Sequence, residues 1–490
     1  MFNAFKISKY LLYLVPLMVI IVTPSTLFPF IVGKYVFFRT IIGLSFIFFL
    51  LGVLLNQNGV NEIISRLKQL IKNPLIITVS IFAAIFLLAC LFGVSPSYSF
   101  WSNFERGEGG LQILCFYIFF ALLALLFDKE KDWRIIFTMM IIGAIGISLY
   151  GVAAGLKYVD ADFTTRNTPT GGTEDILSGT GGPYYQMFHP FIGLAFSNSG
   201  FRFEGSIGNS SYVAAYIIFS LFYISYLLVS KYKNKLFSYG AIALWVSALA
   251  LLIVFFMAGT RGAFLGLIAS VLAFLACLAF SSKRWRKWII LAGAVMVVLV
   301  FTLVQFKDTP VIKSVPGVSR ILSISLSANT FQDRVTIWKM AIDGFKERPI
   351  LGWGPENFLQ VFDHHFNIKY FNPNIGFGAW FDRAHNIYLD YLAETGILGL
   401  LSYLGIFIAF YYLLFKKPLV DIDKNEKNQN KLVEADTKQQ ITLIKALMFA
   451  IPVAYLVQGI VLFDVSPIYL NLFLLFAFAV YKSNFKNKDV

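Results

Sequence analysis

Residues 383–415 have the sequence RAHNIYLDYLAETGILGLLSYLGIFIAFYYLLF, whose second half carries no charged side chain. Apolar runs of similar length recur along the chain, and about 20 apolar residues in a helix can cross the ~30 Å hydrocarbon core of a bilayer. Of the 490 residues, 58% are hydrophobic and only 14% are charged. The sequence therefore predicts an all-α polytopic membrane protein with about twelve transmembrane helices.

The distribution of basic residues predicts the orientation of these spans. Cytoplasmic loops of membrane proteins carry an excess of Lys and Arg. The short loops on one side of this chain hold many of them, whereas those on the other side hold only Lys34, Arg39, Arg106 and Arg261. Both termini are therefore predicted to be cytoplasmic. The twelve spans are predicted at about 11–32, 37–55, 74–94, 111–127, 135–155, 210–229, 238–257, 262–280, 288–305, 386–415, 442–463 and 466–481.

The first apolar run is expected to be a retained span. Lys6 and Lys9 precede it, as in a signal peptide, but the run is too long for a signal core and lacks a small-residue cleavage site. The three cysteines, Cys90, Cys115 and Cys277, have neither a disulfide framework nor metal-binding spacing. The net charge of +14 lies in loops beside the spans, so no nucleic-acid partner is expected.

Two long outer loops divide the chain. The first contains TPTGGTEDILSGTGGP (168–183), which predicts an irregular, mobile segment. The second is expected to be helical, because apolar residues recur at helical spacing from Val335 to Phe345, before Arg348 and Pro349, and Pro355 suits the start of another helix. The predicted regions are spans 1–9 in 1–305 with the outer loop at about 156–209, the helical outer loop 306–385, and spans 10–12 in 386–490 with a cytoplasmic loop at about 416–441.

Polar side chains that could support chemistry gather on the predicted outer side. Taken singly, an interfacial arginine is usually an anchor whose stem lies along a helix end. A lone histidine at a helix start is more often a cap or a core residue than a catalyst. The candidates are Arg106, Arg202, Arg261 and His385, with Glu204, Asn209, Asp390 and Glu394 in support.

Arg261 lies in a short turn between two long apolar spans and is flanked by Gly259 and Gly262. The backbone N–H groups of such a turn, near a helix N-terminus, favour an anion. An arginine adds a planar fork of donors that suits phosphate. Asn209, with the two serines that follow it, similarly begins the span after Arg202 with capping side chains. The turn around Arg261 is therefore predicted to bind an anion.

His385 is the one member of this group whose ordinary pKa allows proton exchange near neutral pH. The helix after it places Leu389, Leu392 and Gly396 on one apolar face. His385 is expected to lie above the bilayer, or beneath the helical loop, close to the arginines. His189 is expected to pack within its loop. His364 and His365 are adjacent in DHHF, which makes a poor single-ion site, so no metal is expected.

Four stretches carry a resemblance to a known family. They are RFEGSIGNSSYVAAY from 202, AGTRGAFLGL from 258, DRVTIWKMAIDGFKERPILGWGPENF from 333 and AHNIYLDYLAETGILGL from 384. In this order, on a frame of twelve spans, they resemble the O-antigen ligase and polymerase superfamily, which are membrane glycosyltransferases of the GT-C-like type. The resemblance covers most of the chain and is strongest from about 202 to 400.

The resemblance implies transfer of a glycan from a polyprenyl-diphosphate carrier to a glycan, lipid-core or protein hydroxyl, on the outer face of a bacterial cytoplasmic membrane, without metal or cofactor. It also implies that two arginines bind the diphosphate and that a histidine acts near the acceptor hydroxyl. The matching positions are Arg202, Arg261 and His385, with Arg106 as an alternative to Arg202. Two guanidinium groups would stabilise the charge of the leaving diphosphate, and a histidine base would contribute about 10²–10⁴-fold.

Several activities remain open within and beyond this family. Polymerase members often have a glycine eleven residues after an arginine, but Val213 follows Arg202 at that distance and Phe345 follows Arg334. This departure favours a ligase over a polymerase, while protein glycosylation stays possible. A transporter is the alternative from another class, since twelve spans with both termini inside are typical of one. It is disfavoured because ionisable residues and broken-helix patterns are not evident near mid-membrane.

Overall fold

The computed structural model describes residues 4–55, 57–103, 105–159, 165–167, 173–175, 202–281, 286–313, 322, 329–367, 380–416 and 431–484. One pair of short antiparallel strands, Thr165–Asn167 and Thr173–Asp175, occurs among helices. The helices are α1 Ala4–Leu14, α2 Val32–Leu55, α3 Gln57–Leu70, α4 Pro74–Phe92, α5 Pro96–Trp101, α6 Gly110–Leu126, α7 Glu130–Val159, α8 Ser210–Lys231, α9 Tyr239–Ala258, α10 Arg261–Ser281, α11 Arg286–Gln305, α12 Pro310–Lys313, α13 Asn329–Glu347, α14 Phe358–His364, α15 Ile387–Lys416, α16 Lys431–Gln458 and α17 Ser466–Asn484.

The chain is an all-α polytopic membrane protein, as predicted. Among the described residues, ten helices are long and apolar enough to cross a bilayer, and all ten coincide with predicted spans. The predicted span 111–127 is the shorter apolar helix α6. The predicted span 11–32 is not one helix, because α1 passes into a 3-10 helix with Pro16 in its first turn and the chain becomes extended at Ile21.

Burial differs sharply between the spans, and the difference locates the core. α8 and α17 are almost wholly enclosed by other helices, and their aromatic side chains pack on Phe137 of α7: Tyr223 stacks on its ring and Phe478 meets it edge-on. α11, in contrast, has no buried residue and exposes Val298 and Phe301. A water-facing helix would not be apolar on every side, so α11 is expected to face lipid.

The predicted span 386–415 is broken at Gly396, whose φ is 65°. The break is filled by the segment that follows α13. The Trp353 N–H donates to the Ala393 carbonyl at 2.9 Å, and the Ile397 N–H donates to the Pro349 carbonyl at 2.8 Å. The first turns of α15 are thereby joined to this segment, which fixes the residues immediately before the helix as well.

Replacing Gly396 by alanine is expected to destabilise the protein by at least about 1–2 kcal/mol, the cost of a left-handed conformation for a residue with a Cβ. The substitution also creates a steric clash, since a Cβ there would lie 2.3 Å from the Ile350 carbonyl oxygen. Thermal unfolding in detergent measures this. Gly405→Ala in the same helix is the matched control, because a Cβ at Gly405 meets no described atom within 4 Å. Equal melting temperatures for the two variants would contradict the prediction.

α13 and α14 pack together as a small unit, here called the cap, with its own apolar core. Ile337 and Met340 of α13 meet Trp353, Phe358 and Phe362 in this core, which the first turns of α15 also join. The two predicted helices are present, although the second begins later than Pro355.

The later start has a conformational reason. Gly354 and Glu356 adopt positive φ values of 94° and 68°, which are incompatible with a helix, and α14 begins only at Phe358. The Gly- and Thr-rich stretch 168–183 lies outside the described residues except for Thr173–Asp175, and His189 lies outside them too.

Polar contacts join helix ends at both extremes of the bundle. α17 begins at Ser466, whose N–H donates to the Glu108 carboxylate at 2.5 Å. It ends near Lys482, which pairs with Glu130 at 2.9 Å. The helix runs between these contacts, so they mark opposite ends of the bundle. Arg106, two residues before Glu108, lies at the Ser466 end.

Candidate functional site

Three arginines line one cavity of about 340 Å³: Arg202, Arg261 and Arg334. The sequence predicted the first two as partners, and the structure brings them together. Arg334 comes from α13 of the cap and was missed as a site residue. Burial lowers the pKa of Arg334, and Arg202 and Arg261 lower it further because like charges repel. The cavity is therefore arranged for an anion that would relieve this repulsion.

The turn between α9 and α10 places Arg261 as the sequence suggests. Gly259 ends α9 with a φ of 57°, and Arg261 is the first residue of α10. A Cβ at Gly262 would lie 2.5 Å from a Val461 methyl, so glycine allows the close approach of the two chains. The Thr260 hydroxyl is buried and has no hydrogen-bond partner among the described residues. A bound anion would supply the missing acceptor at a helix N-terminus.

Arg202 reaches the same cavity from the segment before α8. The N–H of Phe203 donates to the Met257 carbonyl at 3.2 Å, which holds this segment against the end of α9. Burial raises the pKa of Glu204 to about 7, although Arg202 opposes the shift. Glu204 can thus reduce the net charge near Arg202 in a pH-dependent way. Asn209 caps α8, as predicted, by accepting the Ser211 N–H at 2.8 Å.

His385 has an unusual backbone conformation, with a φ of 53°. Its Nδ1 lies 3.1 Å from the Arg383 carbonyl oxygen. A carbonyl can only accept a hydrogen bond, so Nδ1 carries the proton and Nε2 carries the lone pair. The ring packs edge-on against Phe381 and Phe463, with centroid distances of 5.5 and 5.0 Å. A left-handed residue with an oriented imidazole points to function, because such strain persists where the surroundings impose it.

The environment of His385 favours the neutral imidazole. Burial lowers its pKa below the ordinary 6.5, and the charge of Arg334 lowers it further. The hydrogen bond to the Arg383 carbonyl and the charge of Asp382 oppose this effect. Arg334 thus contributes both to the lining of the arginine cavity and to the electrostatic environment of His385. His385 is therefore an unprotonated acceptor at neutral pH.

Neighbouring side chains position the backbone around His385. Asn386 caps the following helix by accepting the N–H groups of Tyr388 and Leu389 at 3.0 and 3.2 Å. Asp390 accepts the N–H of Ala384 at 2.6 Å. The capping function that the sequence left open for His385 thus belongs to Asn386, and Asp390 holds the loop rather than contacting the imidazole.

Arg383 is the centre of a buried ion-pair network that was not singled out from the sequence. It binds Glu394 at 2.7 Å and also pairs with Glu356. Glu356 in turn accepts a hydrogen bond from the Ser102 hydroxyl at 2.7 Å. Removing one partner from such a buried pair is strongly destabilising. Glu394 is therefore a structural partner of Arg383.

Arg106 does not line the arginine cavity. It makes a two-pronged ion pair with Asp382, at 2.8 and 3.1 Å, and its guanidinium lies 5.0 Å from the Phe463 ring centroid. It lines a second cavity of about 400 Å³, together with Glu108 and Tyr212. Phe463 contacts both Arg106 and His385, so one aromatic ring connects the second cavity to the imidazole.

Sequence reasoning missed three residues that shape this site: Arg334, Arg383 and Phe463. Arg334 lies on α13, where the spacing of the apolar residues was used to predict a helix and the arginine was not considered for the site. Phe463 is one of 52 phenylalanines, so nothing local distinguishes it. One group of side chains that could hold a metal ion occurs in the described part of the chain, Glu347 with His364 and His365. Its members belong to the linings of neither cavity.

Residues 246–404 match a family model described as O-Antigen ligase. The matched range includes Arg261, Arg334 and His385, and it excludes Arg106 and Arg202. The resemblance drawn from the sequence motifs is thereby confirmed over these residues. No curated protein matches the chain.

Proposed function

Starting from this resemblance to the O-antigen ligase superfamily, we propose that the protein transfers a glycan from a polyprenyl-diphosphate carrier to an acceptor hydroxyl. We assign it ligase-type activity on the outer face of a bacterial cytoplasmic membrane. The observation that carries the proposal is the cavity lined by Arg202, Arg261 and Arg334, of which Arg334 also acts electrostatically on His385. The family match supports a glycosyltransferase-like enzyme, and the donor, acceptor and orientation are the proposed part.

The arginine cavity is the proposed site of the donor diphosphate. Its guanidinium groups offer planar pairs of N–H donors that match phosphate oxygens. When the anomeric C–O bond breaks, the departing diphosphate keeps the bonding electrons and its negative charge increases. Pre-positioned cations stabilise that change more than they stabilise the bound donor. These side chains supply the charge stabilisation that a metal ion provides elsewhere, so we propose a metal-independent transfer.

His385 is the proposed general base. Its Nε2 would take the proton from the acceptor hydroxyl as the oxygen forms the new bond to the anomeric carbon. The products are the glycosylated acceptor, the free carrier diphosphate and an imidazolium that returns its proton to water. Arg106 and the second cavity would hold the acceptor, because this cavity combines apolar residues such as Phe28 and Phe30 with charged ones.

The break in α15 requires comparison with a transporter, since broken helices line the substrate sites of many transporters. In this protein the freed backbone groups at Gly396 are bonded to the segment after α13. The carboxylates nearby are engaged as well, Glu394 with Arg383 and Asp390 with a backbone N–H. The break thus connects the cap to α15 and leaves little unbonded backbone for an ion, which favours the transferase.

The pH dependence of transfer is expected to follow His385. The base must be neutral, and its folded-state pKa lies below 6.5, so kcat/KM should decline on the acid side only below about pH 6.5. Asp382→Asn removes a charge that raises this pKa and should move the decline to lower pH. Measurement of kcat/KM against pH for both proteins checks this. A decline centred above pH 7 in the native protein would exclude His385 as the base.

The transfer itself is tested with purified protein in lipid, a polyprenyl-diphosphate-linked glycan and a panel of hydroxyl acceptors. The readout is release of free carrier diphosphate. Release that depends on a lipid-core acceptor would support the ligase, whereas a repeat-unit or protein acceptor would assign the other activities of the family. Movement of the glycan lipid across the bilayer, with no release for any acceptor, would contradict the transferase and favour the transporter.

A further inference from the structure

Two histidines and a glutamate meet on the cap, outside both cavities. The Nε2 atoms of His364 and His365 each lie 3.4 Å from the same carboxylate oxygen, Oε1 of Glu347. One ligand atom from each of the three side chains falls within 4.8 Å of the others. Glu347 is the last residue of α13, and the histidines are at the end of α14, so the cluster joins the C-terminal ends of two helices.

Two of the three separations between these ligand atoms fit a tetrahedral cation. Zinc binds imidazole nitrogen and carboxylate oxygen at about 2.0–2.2 Å, which places neighbouring ligand atoms of a tetrahedron about 3.3–3.6 Å apart. Both nitrogen-to-oxygen distances, at 3.4 Å, fall in this range. Two histidines and one glutamate are also a known zinc ligand set, in which the fourth position holds water.

The end of α14 explains how adjacent histidines can converge. Successive residues of a helix point about 100° apart, so adjacent histidines within a helix would not share an ion. His364 is the last helical residue, however, and His365 is its C-cap with a φ of −102° and a ψ of 21°. The two rings lie with their centroids 4.9 Å apart and nearly perpendicular. Glu347 then adds a ligand that no local sequence pattern reveals.

A second observation points to a ligand at this place. The Nε2 atom of His365 is buried and has no hydrogen-bond partner among the described residues. A buried polar atom without a partner is rare and costly in a folded protein. The 3.4 Å contact with Oε1 of Glu347 lacks hydrogen-bond geometry, so it leaves this nitrogen without a hydrogen bond. A bound cation satisfies the Nε2 lone pairs of both histidines together.

One neighbouring charge opposes a cation. The guanidinium of Arg348 lies 5.3 Å from the centroid of the Trp353 ring, against which both histidine rings also pack. Glu347 and His364 are exposed, so solvent screens this repulsion. Three direct ligands are therefore expected to outweigh one partly screened charge.

We propose that Glu347, His364 and His365 bind a divalent transition-metal cation of the Zn²⁺ type. The ion ties the end of α13 to the end of α14 and keeps water in its fourth position. From α14, Phe362 packs on Phe381, and Phe381 packs on His385, with ring centroids 6.0 and 5.5 Å apart. The cation would therefore stiffen the unit that supports the proposed base, although its binding does not depend on the function proposed above.

The test uses the full-length protein without a polyhistidine tag, stripped with a chelator and titrated with Co²⁺ and then Zn²⁺. We expect one Co²⁺ per chain with the intense visible bands of a tetrahedral ion, and its displacement by Zn²⁺. His365→Ala and Glu347→Gln should each weaken binding at least about 100-fold, since even an outer partner of a metal ligand is worth about 10–100-fold. Arg348→Gln should strengthen it.

Asp343→Asn is the matched control, because Asp343 is an exposed carboxylate one turn earlier on α13 that pairs with Lys346 at 2.8 Å. It should bind Co²⁺ as the native protein does. Glu347→Gln keeps the size of an exposed side chain, so its Co²⁺ binding tests the proposal even if His365→Ala fails to fold. Equal binding by Glu347→Gln and Asp343→Asn would overturn the proposal. So would the weak bands of octahedral Co²⁺, or no binding at all.

Discussion

Arg261→Gln is expected to lower kcat/KM for the diphosphate-linked donor by about 10²–10³-fold, the usual loss when a pre-positioned donor to a developing negative charge is removed. Arg261 lies where the start of α10, the Thr260 hydroxyl and two further arginines converge on one cavity. Glutamine keeps much of the side-chain length and removes the charge. The measurement is initial-rate release of carrier diphosphate at several donor concentrations.

Arg286→Gln is the control for this substitution. Arg286 begins α11, is exposed, and donates to the Ala279 carbonyl at 2.9 Å, away from the cavity residues. Its variant should retain native activity. A loss of similar size in both variants would indicate a general effect of charge on the protein, and full activity of Arg261→Gln would remove the cavity as the diphosphate site.

His385→Ala is expected to lower kcat by about 10²–10⁴-fold, the range for loss of a positioned general base. Donor affinity should change little, because the arginine side chains remain. The physical reason is that Nδ1 is held by the Arg383 carbonyl, which directs Nε2 and its lone pair away from the backbone. Steady-state kcat and donor binding, measured on the same preparation, separate the two effects.

His385→Gln serves as the comparison, since it retains a polar side chain of similar reach but cannot act as a base. It should be as inactive as the alanine variant, and added imidazole should restore part of the activity to His385→Ala alone. A fully active glutamine variant would show that His385 positions the acceptor without taking its proton. Matching melting temperatures would show that both variants fold.

The membrane fold was predictable because it follows from local properties of the chain. Apolar runs and basic loops placed the ten long spans, and helical spacing located α13. The break at Gly396 was not predictable from its neighbours, since it depends on hydrogen bonds with the Pro349 carbonyl and the Trp353 N–H, more than forty residues earlier. A glycine in an apolar helix is common, and only the packing of the cap shows why this one is needed.

Residues of the candidate site were predictable where few structural roles explain that residue type in its sequence context. Arg261 between glycines and His385 at a helix mouth fall into this class, and Arg202 joins Arg261 as expected. Arg106 was expected to resemble them, yet Asp382 pairs with it beside a different cavity. Arg334 was missed because its position depends on how the cap docks, which the sequence of α13 alone does not reveal.

The polar residues predicted to support the site lie in the correct region but have structural contacts. Asp390 and Glu394 follow His385 closely on the same helix and were predicted to support the site. The helix directs them instead toward the Ala384 N–H and Arg383. Chain spacing identified the correct neighbourhood but could not distinguish groups that touch a substrate from groups that hold the loop.

The central claim is that a phosphate-binding cavity and a separate base act side by side, and a single-turnover experiment tests it most directly. Native protein, Arg261→Gln and His385→Ala are each incubated with donor, and release of carrier diphosphate is followed after addition of an active acceptor. We predict rapid, acceptor-dependent release from the native protein, weakened donor binding with slower release for Arg261→Gln, and normal donor binding with release at least about 100-fold slower for His385→Ala. Release from His385→Ala at the native rate, or release that needs no acceptor, would contradict the account.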